Sequence, residues 1–318
     1  MHGKLTPSKL ALISMIFALL VAAALFAGCT QSTTSTTPAT TAATTAPAAA
    51  SATPVATAVA TAVPTTVATT ATPAPTYTAS ETTIIAFTAA SLSGASPALG
   101  SGFNSAYPPH KVAFNLDGTQ ALKTQVENGA YSDVFISASN SYTNTLKSEG
   151  YFVNSSVKTL CTNYVIVILP ASNPANIQSL SDLAKPGVKI AMAANTVPVG
   201  TATTAVVNNL ANSTYGQAWK NATLANVVTY ETSEPAVATK VSLGEVDAGF
   251  VYQSTATAAA PGTYQSITIP KKDNYLQTYT IGVLQESKNK AVAGEFESYM
   301  LSAAGQQLLK QYGFTPAV

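Results

Sequence analysis

The sequence predicts an α/β protein whose folded part forms two lobes on a mainly parallel sheet. Three observations lead there. β-rich runs alternate with helical patterns from residue 82 onward, the alternation that builds helix-covered sheet. The candidate strands number nine, more than one small sheet usually holds, so two lobes sharing the chain are expected. About 240 residues follow the low-complexity N-terminal part, enough for real cores. In chain order, strands are expected at 83–87, 111–115, 133–137, 164–169, 188–193, 226–230, 248–252, 266–269 and 279–284, each a short β-branched or aromatic run bounded by turn residues. Helical spacing lies between them near 98–105, 120–128, 141–149, 180–184, 201–210, 236–243 and 290–300, with 306–312 closing the chain. The clearest is 290–300, where Val292, Phe296 and Met300 recur every fourth residue, the mark of a helix packing one face on a core.

The chain ahead of these elements is of another kind. His2, Lys4 and Lys9 precede an apolar run at 10–25 that ends in small residues, the pattern of an export signal. That run meets Phe26-Ala27-Gly28-Cys29, which resembles the lipobox of exported lipoproteins and implies that Cys29 becomes the lipidated first residue of the mature protein. A plain membrane anchor with an incidental cysteine is the alternative, since the run sits at the lower limit for a span. Both place the rest of the chain outside the cytoplasm, on the outer face of the membrane. Residues 30–82 are almost all Thr and Ala with spaced Pro and lack the side chains to build a core, so a disordered tether is expected there. Three sequons, at Asn154, Asn212 and Asn221, suit an exported surface.

Charge excludes several functions. Only 9% of residues are charged, and none of residues 10–80 is; Glu81 onward holds 27 of the 29 acidic and basic residues. A net charge of +1 argues against nucleic acid, whose phosphates are met by clustered cations. All 15 basic residues are Lys, so any anion site here works without guanidinium forks. His110, after Pro108-Pro109, is the one histidine beyond the export segment and reads as a solvated loop residue rather than a catalytic base. Cys161 has no partner once Cys29 is lipidated, and no zinc spacing, phosphate loop or dinucleotide fingerprint is present. Glu245 and Asp247 fall in a turn where solvent exposure is the default. No enzyme and no cofactor is expected.

Four segments share one design, in which a strand or loop enters a helix through small hydroxyl or glycine residues: 88–92, 117–120, 197–201 and 232–235. A helix start leaves N–H groups unpaired and carries partial positive charge, so each could bind an anion without a formal cation, or each could merely cap its own helix.

Together these segments resemble the molybdate/tungstate-binding proteins of ABC uptake systems, the ModA family. The resemblance lies in Phe87-Thr88-Ala89-Ala90-Ser91-Leu92, the block Ser132-Asp133-Val134-Phe135-Ile136-Ser137-Ala138, the turn Val197-Pro198-Val199-Gly200, the strand end Gly249-Phe250-Val251-Tyr252, and Tyr312-Gly313-Phe314. It implies a two-lobed periplasmic-binding-protein type II fold with a central cleft, lobe 1 covering about 83–163 and 280–318 and lobe 2 about 164–279, with crossings near 164–169 and 279–284. It implies a monomer that binds molybdate or tungstate between its lobes for a membrane permease and its ATPase. It further implies that Ser91 and Thr119 offer hydroxyl and backbone donors, Val199 and Glu234 backbone N–H groups, and Tyr252 its phenol. Thr119 stands where the family usually has Ser, and Glu234 where it often has an apolar residue. An inward carboxylate 4 Å from a unit of ligand charge would cost about 4 kcal/mol at an effective dielectric near 20. The expectation is therefore that Glu234 turns its side chain to solvent; a protonated side chain that donates, or one bonded directly to the metal centre, are the alternatives. Asp117 is expected to cap or to lie in solvent. A donor-only site would reject phosphate, which still carries a proton. If Glu234 or Asp117 faces the cleft, phosphate competes, and sulfate differs from molybdate mainly in size, so a sulfate- or phosphate-binding protein is the second reading, with a tethered surface domain and a lipid-anchored hydrolase behind it.

Overall fold

The computed structural model describes residues 80–317; the export segment, Cys29 and the tether up to residue 79 lie outside the described residues. The elements run β1 (Thr83–Ala89), α1 (Ser96–Ala106), β2 (Lys111–Asp117), α2 (Thr119–Glu127), β3 (Val134–Ser137), α3 (Asn140–Ser148), β4 (Lys158–Pro170), β5 (Ile190–Ala193), α4 (Pro198–Leu210) and α5 (Gly216–Ala225). Then come β6 (Val227–Glu231), α6 (Glu234–Ser242), β7 (Ala248–Tyr252), α7 (Gln253–Ala258), β8 (Tyr264–Thr268), β9 (Leu276–Val283), α8 (Lys290–Leu301), α9 (Ala303–Gln311) and β10 (Thr315–Pro316). Leu180–Ala184, expected to be helical, forms a short 3₁₀ helix.

The strand order is β2-β1-β3-β9-β4-β7-β5-β6, with β8 and β10 also pairing to β4. The sheet is mixed rather than mainly parallel. β1 pairs in parallel with β2 and β3, and β5 with β6 and β7, each through helical crossovers. The centre is antiparallel: β9 pairs with β3 and β4, and β4 with β7. β4 belongs to both halves. Its residues Lys158 to Tyr164 pair with β9, and Val165 to Ile168 with β7. The chain returns between β8 and β9, so residues 276–279, read from sequence as the end of the second lobe, pair within the first half.

The first six residues of β4 escaped the sequence pattern because a bulge between Thr159 and Cys161 breaks the alternation, leaving Leu160 and Cys161 buried in succession. α5 escaped because it buries only Trp219 and Thr223, a stripe too thin to read as periodicity. Trp219 is fixed by its indole N–H, which donates to the Leu180 carbonyl at 2.9 Å, and by stacking on Tyr215. α8 buries Val292, Phe296 and Met300 as their spacing predicts, with Phe296 edge-on to Phe103 at 5.1 Å. His110 is not solvated: it is half-buried, with Nε2 3.9 Å from Glu295 of α8, and it does not line the cavity described below.

Candidate functional site

Each of the four helix starts presents its first turn to one small cavity. β1 ends at Ala89 and runs into a single 3₁₀ turn, Ala90–Leu92, that holds Ser91 9% exposed. α2 starts at Thr119 after an extended Gly118, and the Thr119 hydroxyl oxygen accepts the Ala138 N–H at 3.1 Å. That bond consumes a lone pair and leaves the Thr119 proton free to be donated. α4 starts with Pro198, which has no N–H to leave unpaired, so Val199 carries the first donor of the helix. Gly200 is needed behind it: a Cβ there would lie 2.1 Å from the Ala194 carbonyl oxygen, so only glycine lets this turn press against the end of β5. α6 starts with Glu234 followed by Pro235, so the first turn has the Glu234 N–H and no donor at the next position.

Ser91, Thr119, Val199, Glu234 and Tyr252, the five residues expected from sequence, all line this cavity, together with Ala89, Ala90, Gly118, Ala138, Val197 and Pro198. The centre of a water-sized sphere has about 20 Å³ to move there, roughly one to two water positions, so the cavity suits one compact group and not a chain. No Lys or His lines it. Asp117 does not line it either; its carboxylate accepts the Gly118 N–H at 2.7 Å.

Glu234 corrects the expectation of a solvent-facing side chain. The residue is 3% exposed, and Oε1 accepts the Tyr252 N–H at 2.7 Å and the Thr255 hydroxyl at 2.6 Å. Oε2 is buried and has no partner. Burial pushes its pKa up to about 7, against the opposing pull of those two bonds. Tyr252, fully buried at the end of β7, donates its hydroxyl to Gln277 Oε1 at 3.1 Å. The reason for the misreading is topological: α7 follows β7 and places Thr255 and the Tyr252 N–H against the start of α6, a cradle that holds the carboxylate inward.

Three residues around the cavity were missed by sequence reasoning. Tyr279 of β9 shares a hydrogen bond with the Ser91 hydroxyl at 2.8 Å, Gln277 holds Tyr252, and Thr255 holds Glu234. The only sequence signal was a tyrosine inside an apolar strand, which when buried seeks a polar partner. Hydrogen bonds outside the cavity also join the halves, among them the Gln120 amide donating to the Thr232 carbonyl at 2.8 Å, the Tyr142 hydroxyl to the Thr196 carbonyl at 2.6 Å, and the Asn163 amide to the Ser254 hydroxyl at 2.8 Å.

The sequence profile of the bacterial extracellular solute-binding proteins matches residues 84–315. The molybdate-binding protein ModA of Mycobacterium tuberculosis is 31% identical over 231 residues, covering 73% of this chain and 84% of that one. The chain belongs to the ModA family. The substrate-binding domain of a molybdenum ABC transporter from Clostridium difficile is similar in structure, with a TM-score of 0.58 and 26% identity over 75% of this chain and all of that one. The sulfate-binding protein SubI of Mycobacterium tuberculosis shares the fold at a TM-score of 0.66 and 18% identity, covering 74% of this chain and 87% of that one. A ModA-family chain is an extracytoplasmic solute-binding protein of an ABC uptake system and not an enzyme; what it holds is cargo rather than a cofactor. The hydrolase and surface-domain readings fall away with that assignment. Because a sulfate-binding protein has the same fold, the ligand must be argued from the cavity.

Proposed function

We propose that this protein captures a tetrahedral oxyanion, molybdate or tungstate in preference, between its two halves and delivers it to the permease and ATPase of an importer. The observation that carries the reading is the donor set: helix starts from both halves converge on one cavity lined by no basic side chain. Partial positive charge at those starts, with N–H groups at Ser91, Thr119, Val199 and Glu234, suits a ligand that only accepts hydrogen bonds. The Thr119 hydroxyl is already turned outward by Ala138, and a Tyr279 proton given to Ser91 Oγ frees the serine proton for the ligand. Tyr252 exchanges Gln277 for the ligand as its acceptor.

The shell is complete only with both halves in place, so the anion favours the closed form, and the permease recognises that form. Lipidated Cys29 and the tether keep the monomer at the membrane surface; mass spectrometry of the mature N-terminus checks this, and an unmodified Cys29 would sink it. Phosphate stays as the second reading because an ionised Glu234 could accept the proton that phosphate retains. Thermal unfolding with molybdate, tungstate, sulfate and phosphate in turn tests the proposal. Ligand at 100 times its dissociation constant adds about 2.7 kcal/mol, a rise of about 5–11 °C for a domain of this size. No rise with any of the four at millimolar concentration would overturn it.

A further inference from the structure

The cavity holds one acidic side chain and no basic one, an arrangement that looks wrong for an anion. The geometry of Glu234 says how it is tolerated. Its Oε1 is saturated by two donors, the Tyr252 N–H and the Thr255 hydroxyl, while Oε2 is buried without a partner although the residue lines the cavity. Helix starts surround the space, so a cation is no candidate for that free oxygen. A carboxylate there would face a dianion; a carboxylic acid there would be one more donor.

We infer that Glu234 binds the anion as a neutral carboxylic acid whose Oε2–H donates to a ligand oxygen, so that capture above neutral pH carries one proton from solvent into the cavity. This rests on the oxyanion reading and adds a residue to its specificity. The only bond formed is O–H at Oε2, and the complex gains one positive charge to offset the dianion. Such a site favours anions that keep both charges and need no acceptor from the protein.

Neighbouring groups leave Glu234 alone in this role. Tyr252 of β7 and Tyr279 of β9 are buried phenols pushed well above their ordinary range by desolvation, and the Cys161 thiol of β4 is raised in the same way. β5 and the 90–92 turn bring no titratable side chain. Glu231 of β6 accepts the Thr229 hydroxyl, Lys158 of β4 pairs with Glu297, and Lys240 of α6 pairs with Glu245. A Glu234 pKa of about 7 then places the change within reach of ordinary buffers.

The test is the dissociation constant of molybdate and of sulfate between pH 6 and 9, where neither ligand titrates, with calorimetry at pH 8 in two buffers of different ionisation enthalpy. With the competent fraction set by a pKa of about 7, wild-type affinity should fall about fifty- to a hundredfold from pH 6 to pH 9. Close to one proton should be taken up per ligand at pH 8. Glu234→Gln, whose amide donates at every pH, should bind at pH 6 within a few-fold of wild type, lose the pH dependence and take up no proton. Thermal unfolding without ligand checks that the variant folds; if it does not, the wild-type proton count decides alone. Wild-type binding that is flat across this range without proton uptake overturns the inference and leaves the oxyanion reading standing. A folded Glu234→Gln that has lost binding also overturns it, in favour of a carboxylate bonded to the metal centre. Absence of binding at every pH overturns both.

Discussion

The two walls of the cavity differ in how far their chemistry is settled before a ligand arrives. On the first-half wall the hydroxyls of Ser91 and Thr119 each have one protein partner, Tyr279 and the Ala138 N–H, and neither side chain is ionisable. On the second-half wall Val199 offers only backbone, while Glu234 and Tyr252 bring side chains that can carry charge. The first wall is a preorganised neutral donor set and needs little rearrangement to bind. The second wall holds the group whose charge depends on pH. To hold an anion here, a chain without Arg has to do more than omit cations: it also has to keep the one carboxyl that lines the cavity, Glu234, from acting as an anion.

The sharpest way to break this comparison is to measure the second wall without ligand. Glu234 has a folded pKa raised from 4.5 to about 7, so between those values the native protein holds a proton that the unfolded chain releases. Its contribution is present below about pH 4.5 and is lost as pH rises through about 7, a loss of about 3 kcal/mol at most. Denaturation of wild type and Glu234→Gln from pH 5 to 8 should show the variant gaining on wild type by that order; a constant gap would mean the carboxyl ionises freely in its cradle. Next in size are the donors themselves. Ser91→Ala on the first wall and Tyr252→Phe on the second should each weaken molybdate binding by about 1.5–3 kcal/mol, the range for hydrogen bonds to a charged partner. The first effect should be independent of pH in its size, because Ser91 has no titrating neighbour but Tyr279. Unchanged affinity in both variants would show that the anion sits elsewhere.

The same contrast governs what the sequence revealed. Ser91, Thr119 and Val199 were legible because each sits in a short motif at the start of its own helix, where local residues decide the backbone geometry. The position of Glu234 at the cavity was legible in the same way, and its side chain was misread, since its orientation is fixed by Tyr252 and Thr255, 18 and 21 residues later. Tyr279 lies 188 residues from Ser91, and no local pattern announces that pairing. In the fold, α8 was legible from its repeating apolar face, whereas the first part of β4 was hidden by its bulge and the antiparallel centre by the long-range pairing of β9. Local rules place donors at helix starts; the partners that orient them come from pairings far along the chain.

The smallest effect concerns neither wall but the contacts that bring them together. Tyr142 of α3 donates to the Thr196 carbonyl ahead of α4, and Gln120 of α2 donates to the Thr232 carbonyl ahead of α6, so each half reaches across to the loop before a helix start of the other. Neither side chain lines the cavity, so neither should affect how an open form meets its ligand. Tyr142→Phe removes one net hydrogen bond of about 0.5–1.5 kcal/mol, and dissociation of molybdate should speed up about two- to tenfold with little change in association. Gln120→Ala, whose bond is as solvent-exposed as that of Tyr142, should act in the same direction and by a similar factor. Stopped-flow dissociation of both variants separates the two sources of closure. If either accelerates release, the halves hold each other as well as the anion; if neither does, these two contacts add nothing to the ligand shell built by the two walls.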